Sequence, residues 1–446
     1  MANTREIALD ILLSIDKDKG FSNITLNKMI PDKMENRDSN LVRELVYGVI
    51  ENKLYIDNII KKASKIRIKK IHPAIMSILR LGIYQIVFMD NIPSSAAVNE
   101  SVKLAKKKGN RGSISFVNGV LRNISRDPNK FTQLNRDKPI EYLSIKYSHP
   151  EYLVKKWLNE FGYEFTEELL KANNKTPSLN IRVNTLKISR NDLKIKLKKR
   201  GFECLNGDLS KDALKVLNPY KITDTADFKE GLFTIQDESS ILVGQVLNPR
   251  EGSLILDMCS APGGKATHIG QLMNNSGRII ARDIHKHKIK LIEDNASRLG
   301  VDIIESQLYD ALKLDNDLIG KVDYTLIDAP CSGLGLIRRK PEIKWNRKEE
   351  DIDELVSLQE NILNIGKNYV KNNGILLYST CTIYHEENLN MINRFLDRNR
   401  KFKLEAITEI NERLDFYNTL SKGYIQLYPN IHKTDGFFIA KMKKEG

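Results

Sequence analysis

The stretch Leu254-Ile255-Leu256-Asp257-Met258-Cys259-Ser260-Ala261-Pro262-Gly263-Gly264-Lys265 decides how the second half of the chain folds. A short apolar run ends on a carboxylate, a turn of small residues and glycines follows, and a helical pattern opens at Lys265. A strand that runs through a Gly-rich turn into a helix lets backbone N–H groups approach a polar or anionic ligand at the helix N-terminus. The turn is not a Walker A loop, because Cys259 stands where the first glycine belongs and Ala266 replaces Ser or Thr. Nor is it G-x-G-x-x-G.

Outward from this turn, from Gly252 onward, strand and helix alternate. Strands are predicted over 254–258, 278–281, 303–305, 324–327, 375–378 and 437–441, with helices over 286–299, 353–370 and 386–397 between them. That alternation implies a mostly parallel, doubly wound α/β sheet with helices on both faces. Ligands of such sheets bind beyond the carboxyl ends of the strands, at the topological switch point. Asp283 follows the second strand about twenty residues past the glycines, where an acid accepts the ribose hydroxyls of a nucleoside cofactor. An exposed loop aspartate is the plain alternative. Asp310, after the third strand, is the candidate to address an adenine, although a helix N-cap aspartate would look the same.

Two further strand ends carry a thiol each: Asp328-Ala329-Pro330-Cys331 and Tyr378-Ser379-Thr380-Cys381. In a doubly wound sheet these strands are neighbours, about 5 Å apart, so Cys331 and Cys381 would face one pocket beside the cofactor loop. A small buried hydrophobe is the usual reading of one cysteine; two at adjacent functional ends, in a chain with 4, point to chemistry. A thiolate adding to carbon 6 of a pyrimidine turns carbon 5 into a nucleophile able to take an electrophilic methyl. A carboxylate near N3 or the exocyclic amine stabilises the developing charge, and a base must later remove the carbon-5 proton. Either cysteine could be the nucleophile on this reading. Zinc is disfavoured, since there is no C-x-x-C pair and His285 and His287 are badly placed for a closed site.

Upstream the pattern differs. Residues 1–130 read as helices: Leu41, Leu45 and Val49 mark an i, i+4 stripe, and the helix holding Ile75, Ile78, Leu79 and Ile86 is apolar nearly all round. Pro73 fits near its start and 91–94 breaks the pattern. Lys103, Lys106, Lys107, Lys108, Arg111, Arg122 and Arg126 form either a solvated face or an RNA contact. A Pro-bearing connector over 127–140 leads to a small α+β module with an alternating strand at 179–184 and a basic helix at 191–200. The expected domains are 1–130, 140–235 and 236–446. A length of 446 residues suits two or three domains. Lys and Arg number 71 against 57 Asp and Glu, a net charge of +14 that suggests a polyanionic partner, nucleic acid or an anionic membrane surface. No run approaches the ~18 apolar residues of a membrane span, the start MANTREIALDILLS carries acids within its apolar stretch, and four cysteines exclude a disulfide scaffold at this size. A soluble, reduced, cytoplasmic protein is expected.

With DMCSAPGGK, DAPCSGLG, STCT and DGFFIAK (Asp435–Lys441), joined by FTIQDESS (Phe233–Ser240) and RVNTLK (Arg182–Lys187), the chain resembles the NOL1/NOP2/Sun family of RNA cytosine-5 methyltransferases. LVYGVIENK, ILRLGIYQI, IPSSAAVNESV and FVNGVLRNI resemble the NusB-like domain of one bacterial branch, which methylates a cytosine of small-subunit (16S) ribosomal RNA. The resemblance spans essentially the whole chain. It implies a multidomain protein: an all-α NusB-like helical bundle, a small α+β RNA-binding module, and a C-terminal α/β Rossmann-like class I methyltransferase domain. It implies S-adenosyl-L-methionine as cofactor, held by Cys259, Ser260, Ala261, Pro262, Gly263, Gly264, Lys265, Asp283, Asp310 and Asp328. The family's nucleophile follows a threonine, which implies Cys381. Cys331 is then implied in proton removal or release of the covalent adduct, and Asp328 in catalysis. Arg338, Arg339 and Pro341 through Trp345 match a family segment on the RNA side of the pocket. The expected partner is small-subunit ribosomal RNA, with no metal, no membrane and a monomeric state. The family often has an acid where His285 stands. A transfer RNA substrate, or an RNA-binding assembly factor with a vestigial cofactor site, are the alternatives.

Overall fold

The computed structural model describes residues 4–18, 20–31, 33–408, 410–411, 414 and 418–446; Met1, Ala2 and Asn3 of the start sequence lie outside them. The chain forms two compact units, Met1–Lys175 with Ile337–Asn346, and Thr176–Leu336 with Arg347–Gly446.

The first unit is helical. Its principal helices are Thr4–Asp18, Asn36–Glu51, Lys53–Ala63, Pro73–Phe88, Ser94–Lys108 and Arg111–Arg126. Pro73 occupies the first turn of its helix, where a missing N–H breaks no bond, and His72 Nδ1 accepts the Ala74 N–H ahead of it. That helix is buried nearly all round and packs with Leu9, Leu45, Val46, Leu104, Val117 and Leu121 in one core. Gly48 permits the contact with its neighbour, since a Cβ there would sit 2.0 Å from Tyr84 Cζ. In the basic run, Lys103, Lys107 and Lys108 pair with Glu100, Glu6 and Asp10, which leaves Lys106, Arg111, Arg122 and Arg126 as its exposed charges without such an ion pair among the described residues. Helices Pro139–Tyr147, Glu151–Phe161 and Tyr163–Asn173 cluster with this unit.

The segment Ile337–Asn346 also belongs to the helical unit. Glu342 and Lys344 are each 1% exposed. Ser22 donates to Glu342 through its N–H (3.0 Å) and its hydroxyl (2.7 Å). Lys344 Nζ donates to Glu51 O (3.0 Å) and Asn174 Oδ1 (3.2 Å), and Trp345 Nε1 donates to Ile50 O (3.0 Å). The resemblance implied an RNA-facing role for this stretch. Its central residues are buried, where they satisfy backbone and side-chain groups of the helical core.

The second unit holds two sheets. Strands β1 (Leu179–Val183), β2 (Cys204–Asn206), β3 (Ala213–Val216) and β4 (Phe233–Ile235) form an antiparallel sheet in the order β2-β3-β1-β4. The helix Arg190–Lys199 packs Leu193 and Leu197 onto it, and two of the basic groups near its end, Lys196 and Arg200, pair with the buried Asp227. The larger sheet comprises β5 (Leu254–Asp257), β6 (Arg278–Asp283), β7 (Ile304–Leu308), β8 (Val322–Asp328), β9 (Val370–Thr380), β10 (Phe402–Leu404), β11 (Tyr424–Leu427) and β12 (Phe437–Lys444). Its order is β10-β12-β9-β8-β5-β6-β7, with β11 also on β12. From β9 to β7 the pairs are parallel; β10, β11 and β9 all pair antiparallel with β12.

Strands covered on both faces read as unbroken apolar runs, and alternate residues serve two cores. Ile255, Ile279, Leu326, Leu377 and Ile439 face helices Glu238–Leu247 and Gly264–Leu272, while Leu256, Ile280, Ile327, Leu376 and Phe438 face Glu349–Tyr369 and Leu389–Arg398. Among the described residues, no helix is long and apolar enough to cross a membrane.

Candidate active site

Strand order reverses beside β5: its followers in the chain, β6 and β7, lie on one side, and β8 and β9 on the other. The loops leaving β5 and β8 therefore flank the crevice where doubly wound sheets bind ligands. The turn after β5 closes through Ser260 O, which accepts the Gly263 N–H at 2.7 Å. Gly263 has a φ of +92°, a conformation that disfavours any side chain, and the helix starts at Gly264. Asp328 ends β8 in register with Ser379 of β9. Cys331 lies three residues beyond Asp328 and Cys381 two beyond Ser379, and their Sγ atoms are 3.1 Å apart.

A cavity of about 400 Å³ opens here. Of the residues singled out from sequence, Cys259, Ala261, Asp283, Asp310, Asp328, Cys331 and Cys381 line it; Ser260, Pro262, Gly263, Gly264 and Lys265 do not. The latter shape the turn or bond elsewhere. Asp283, at the end of β6, accepts the His285 N–H at 3.0 Å, and Asp310 accepts the Leu312 N–H at 3.0 Å within a turn, with no helix following for it to cap. Lys265 Nζ reaches Asp328 Oδ2 at 2.5 Å, and the Ser379 hydroxyl donates to Asp328 Oδ1 at 2.8 Å.

Electrostatics act strongly on two of the lining thiols, Cys331 and Cys259. The Cys331 thiol is pushed well up by its hydrogen bond with Cys381, then by burial and by the charges of Cys381, Glu387 and Asp328. It therefore stays protonated, with its S–H available to the sulfur of Cys381 3.1 Å away. Cys259 is pushed up by burial and by Asp257, Asp328 and Asp283 around it, which makes it a poor nucleophile. Burial works against the Lys265 ammonium, but Asp328 outweighs it and Cys381 adds to the pull, so the pKa rises. Burial pushes Asp257 up to about 7, with the Asp328 charge adding to it.

The remaining lining includes Ile284, His285, Lys288, Tyr309 and Leu312, which sequence reasoning left unassigned apart from the departure at His285. Arg282 stacks on Tyr309 at 4.0 Å. Another unassigned group is Arg182 of β1, 1% exposed, which donates to Gly264 O (2.5 Å), Thr267 Oγ1 (3.0 Å) and Gln236 Oε1. It ties the small sheet to the first turn of the helix after the glycines. In the sequence Arg182 opens the RVNTLK stretch at a polar position of an alternating strand, which does not foretell burial against a helix. Asn184 does the same for the next helix, donating to Gly231 O (2.8 Å) and Leu299 O (2.7 Å). Among the described residues, no group of three or more His, Cys, Asp or Glu is placed to hold a metal ion.

Comparisons with known proteins agree with this anatomy. The model of the 16S rRNA methyltransferase RsmB/F family matches residues 244–443, the NusB family matches 2–126, and the ferredoxin-like domain of RsmF/B-like methyltransferases matches 149–223. A probable ribosomal RNA small subunit methyltransferase B of Bacillus subtilis is 38% identical over 446 residues, 100% of this chain and 99% of the relative. A probable counterpart in Synechocystis sp. is 33% identical over 447 residues, covering 100% of both chains. Among solved structures, that of PH0851 gives a TM-score of 0.82 at 27% identity over 99% of this chain and 98% of its own. NSun6 from Pyrococcus horikoshii with SFG gives 0.60 at 28% identity over 67% and 98%.

Proposed function

This chain belongs to the RsmB/F family of 16S rRNA methyltransferases, and from that premise we propose that it methylates carbon 5 of a cytosine in small-subunit ribosomal RNA through a covalent adduct between Cys381 and carbon 6. The observation that carries the proposal is the pair of thiols 3.1 Å apart in the lining of a cavity that also includes Asp283 and Asp328. The cavity suits S-adenosyl-L-methionine: a carboxylate at the end of β6 for ribose hydroxyls, apolar Ile284 and Leu312 for a base, and the glycine turn at a helix start. When bound there, that cofactor supplies an electrophilic methyl group on a sulfonium.

The protein's own groups supply the rest. Cys381, as thiolate, adds to carbon 6, and electron density moves to carbon 5 and toward N3. Lys265 and Ser379 orient Asp328 at the pocket, and Asp328 addresses the N3 and amine edge of the base, where charge develops. Cys331 first donates its S–H to Cys381, which stabilises the thiolate. After methylation the carbon-5 proton leaves to a base and the bond from Cys381 to carbon 6 breaks, restoring the aromatic ring and the thiolate. Once Cys381 is bonded to carbon 6, Cys331 loses the hydrogen bond that chiefly holds its thiol up and becomes free to assist proton removal or release of the adduct.

Purified protein, labelled cofactor and unmethylated 16S rRNA test the reading, with bisulfite sequencing to locate the product. Wild type is expected to label one cytosine and Cys381→Ala none. Absence of transfer by wild type would overturn the activity, and full transfer by Cys381→Ala would overturn the role of Cys381.

A further inference from the structure

Glu387 is fully buried and lies outside the cavity lining. One carboxylate oxygen accepts the Ser332 N–H (2.8 Å) and Gln359 Nε2 (2.9 Å); the other accepts the Ser332 hydroxyl (2.5 Å). Ser332 directly follows Cys331, and Thr382 directly follows Cys381. The two hydroxyl oxygens are 2.9 Å apart. Since the single Ser332 hydroxyl proton goes to Glu387, Thr382 donates across to Ser332.

The same centre reaches the other flank of each thiol. Gln359 Nε2 also donates to Pro330 O (2.9 Å), the residue before Cys331. Asn388, next to Glu387, donates to Thr382 O (3.0 Å) and accepts from Thr380 Oγ1 (2.6 Å), the residue before Cys381. The Tyr378 hydroxyl fixes the Glu387 carbonyl at 2.8 Å. The residues on both sides of both cysteines are therefore tied into one network whose hub is a charged acceptor, where hydrogen bonds are strongest.

We infer that Glu387 is the positioning residue that sets the separation of the two thiols. The inference rests on the reading of Cys381 and Cys331 as the working pair. The cysteines come from loops after different strands, and a thiol-to-thiolate hydrogen bond survives only while those loops keep their register. Glu387 is the group that bonds to one loop directly and to the other through Ser332 and Asn388. Displacing a reacting group by about 1 Å can lower a rate roughly a hundredfold, so an intact core with a loosened hub would lose chemistry while still binding ligands.

The test compares wild type with Glu387→Gln, which keeps the shape but puts an NH₂ where an acceptor stood, and with Ser332→Ala, which removes the hydroxyl shared by both loops. The first readout needs no RNA. Diamide is added and closure of the Cys331–Cys381 disulfide is timed by peptide mass, the two thiols losing two hydrogens as the diamide is reduced to the hydrazine. Both variants are expected to close at least tenfold more slowly. The second readout is single-turnover methyl transfer, expected to fall ten- to a hundredfold with the KM for RNA and the cofactor Kd within twofold of wild type. Closure and transfer within twofold of wild type overturn the inference, as does a lowered melting temperature with an unchanged closure rate. Should Glu387→Gln fail to bind cofactor, Ser332→Ala decides by the same criteria. If wild type itself transfers no methyl, the proposed function fails, while the closure rates still decide the role of Glu387.

Discussion

The two halves of the cavity are built differently. Around the thiols, hydrogen bonds anchor the residues on both sides of Cys331 and Cys381, centred on buried groups such as Glu387 and Asn388. Around Asp283 and Asp310, the carboxylates accept from the nearby backbone groups of His285 and Leu312, and the apolar lining is open, with Ile284 58% and Leu312 44% exposed. Groups that form and break bonds must stand in place before the substrate arrives, whereas a surface that receives a whole ligand gains from leaving apolar area for it to cover. The contrast separates a chemical half from a binding half, and each can be disturbed without the other.

Among variants that keep the nucleophile, the largest effect is expected at Cys331. Cys331→Ala should lower turnover roughly a thousandfold, in the range of lost general acid–base assistance, while leaving addition to carbon 6 possible. A protein–RNA band that resists denaturing electrophoresis is the outcome to look for; its absence, with normal turnover, would break the assignment of two roles to two thiols. A pH effect should follow behind the cofactor helix. His268 is fully buried in Gly264–Leu272 and its Nε2 lies 3.2 Å from Asp212 Oδ2. Burial, with a contribution from Arg182, lowers its pKa to about 4 although Asp212 opposes the shift, so a neutral imidazole donates to the carboxylate. The folded state binds fewer protons than the unfolded one. The stability involved is complete above about pH 6.5 and is lost as pH falls through 4, on the order of 3 kcal/mol. Urea melts at pH 7 and pH 4 should show this loss, and His268→Gln should shrink the difference.

Smaller effects are confined to the binding half. Asp283→Ala is expected to weaken the cofactor by about 2 kcal/mol, roughly thirtyfold, for the loss of charge-assisted bonds, measured by calorimetry. Leu312→Ala should lose about 1 kcal/mol, roughly fivefold, from reduced apolar cover. Neither should alter the diamide closure rate of the thiols. A slowed closure in either variant would show that the two halves are coupled.

What could be read from sequence follows the same division. Long apolar runs such as Ile375–Tyr378 announced β9, and residues just past strand ends announced Asp283, Asp310, Cys331 and Cys381 as neighbours, because a doubly wound sheet gathers its carboxyl ends. Strands of three or four residues, β2, β10 and β11, carry too little pattern of their own and form on partners already in place. Arg182 and Glu387 were illegible for a related reason. Their bonds reach residues 82 and 55 positions away, and nothing local marks an arginine or a glutamate as a hub. The lysine run tells the same lesson in reverse: it looked free, yet Lys107 and Lys108 meet acids 101 and 98 residues earlier.

The strap Ile337–Asn346 gives the molecule a birth order. A ribosome delivers the chain from its N-terminus at about 5–20 residues per second, and the helical unit is otherwise finished at Lys175. The partners of Ser22, Ile50 and Glu51 arrive only with Glu342, Lys344 and Trp345, on the order of ten to thirty seconds later at that pace. For that interval Ser22 and the carbonyls of Ile50 and Glu51 lack these partners, and a truncated chain ending before residue 337 would lack them permanently. The last stitch of the first domain is thus made by the translation of the second.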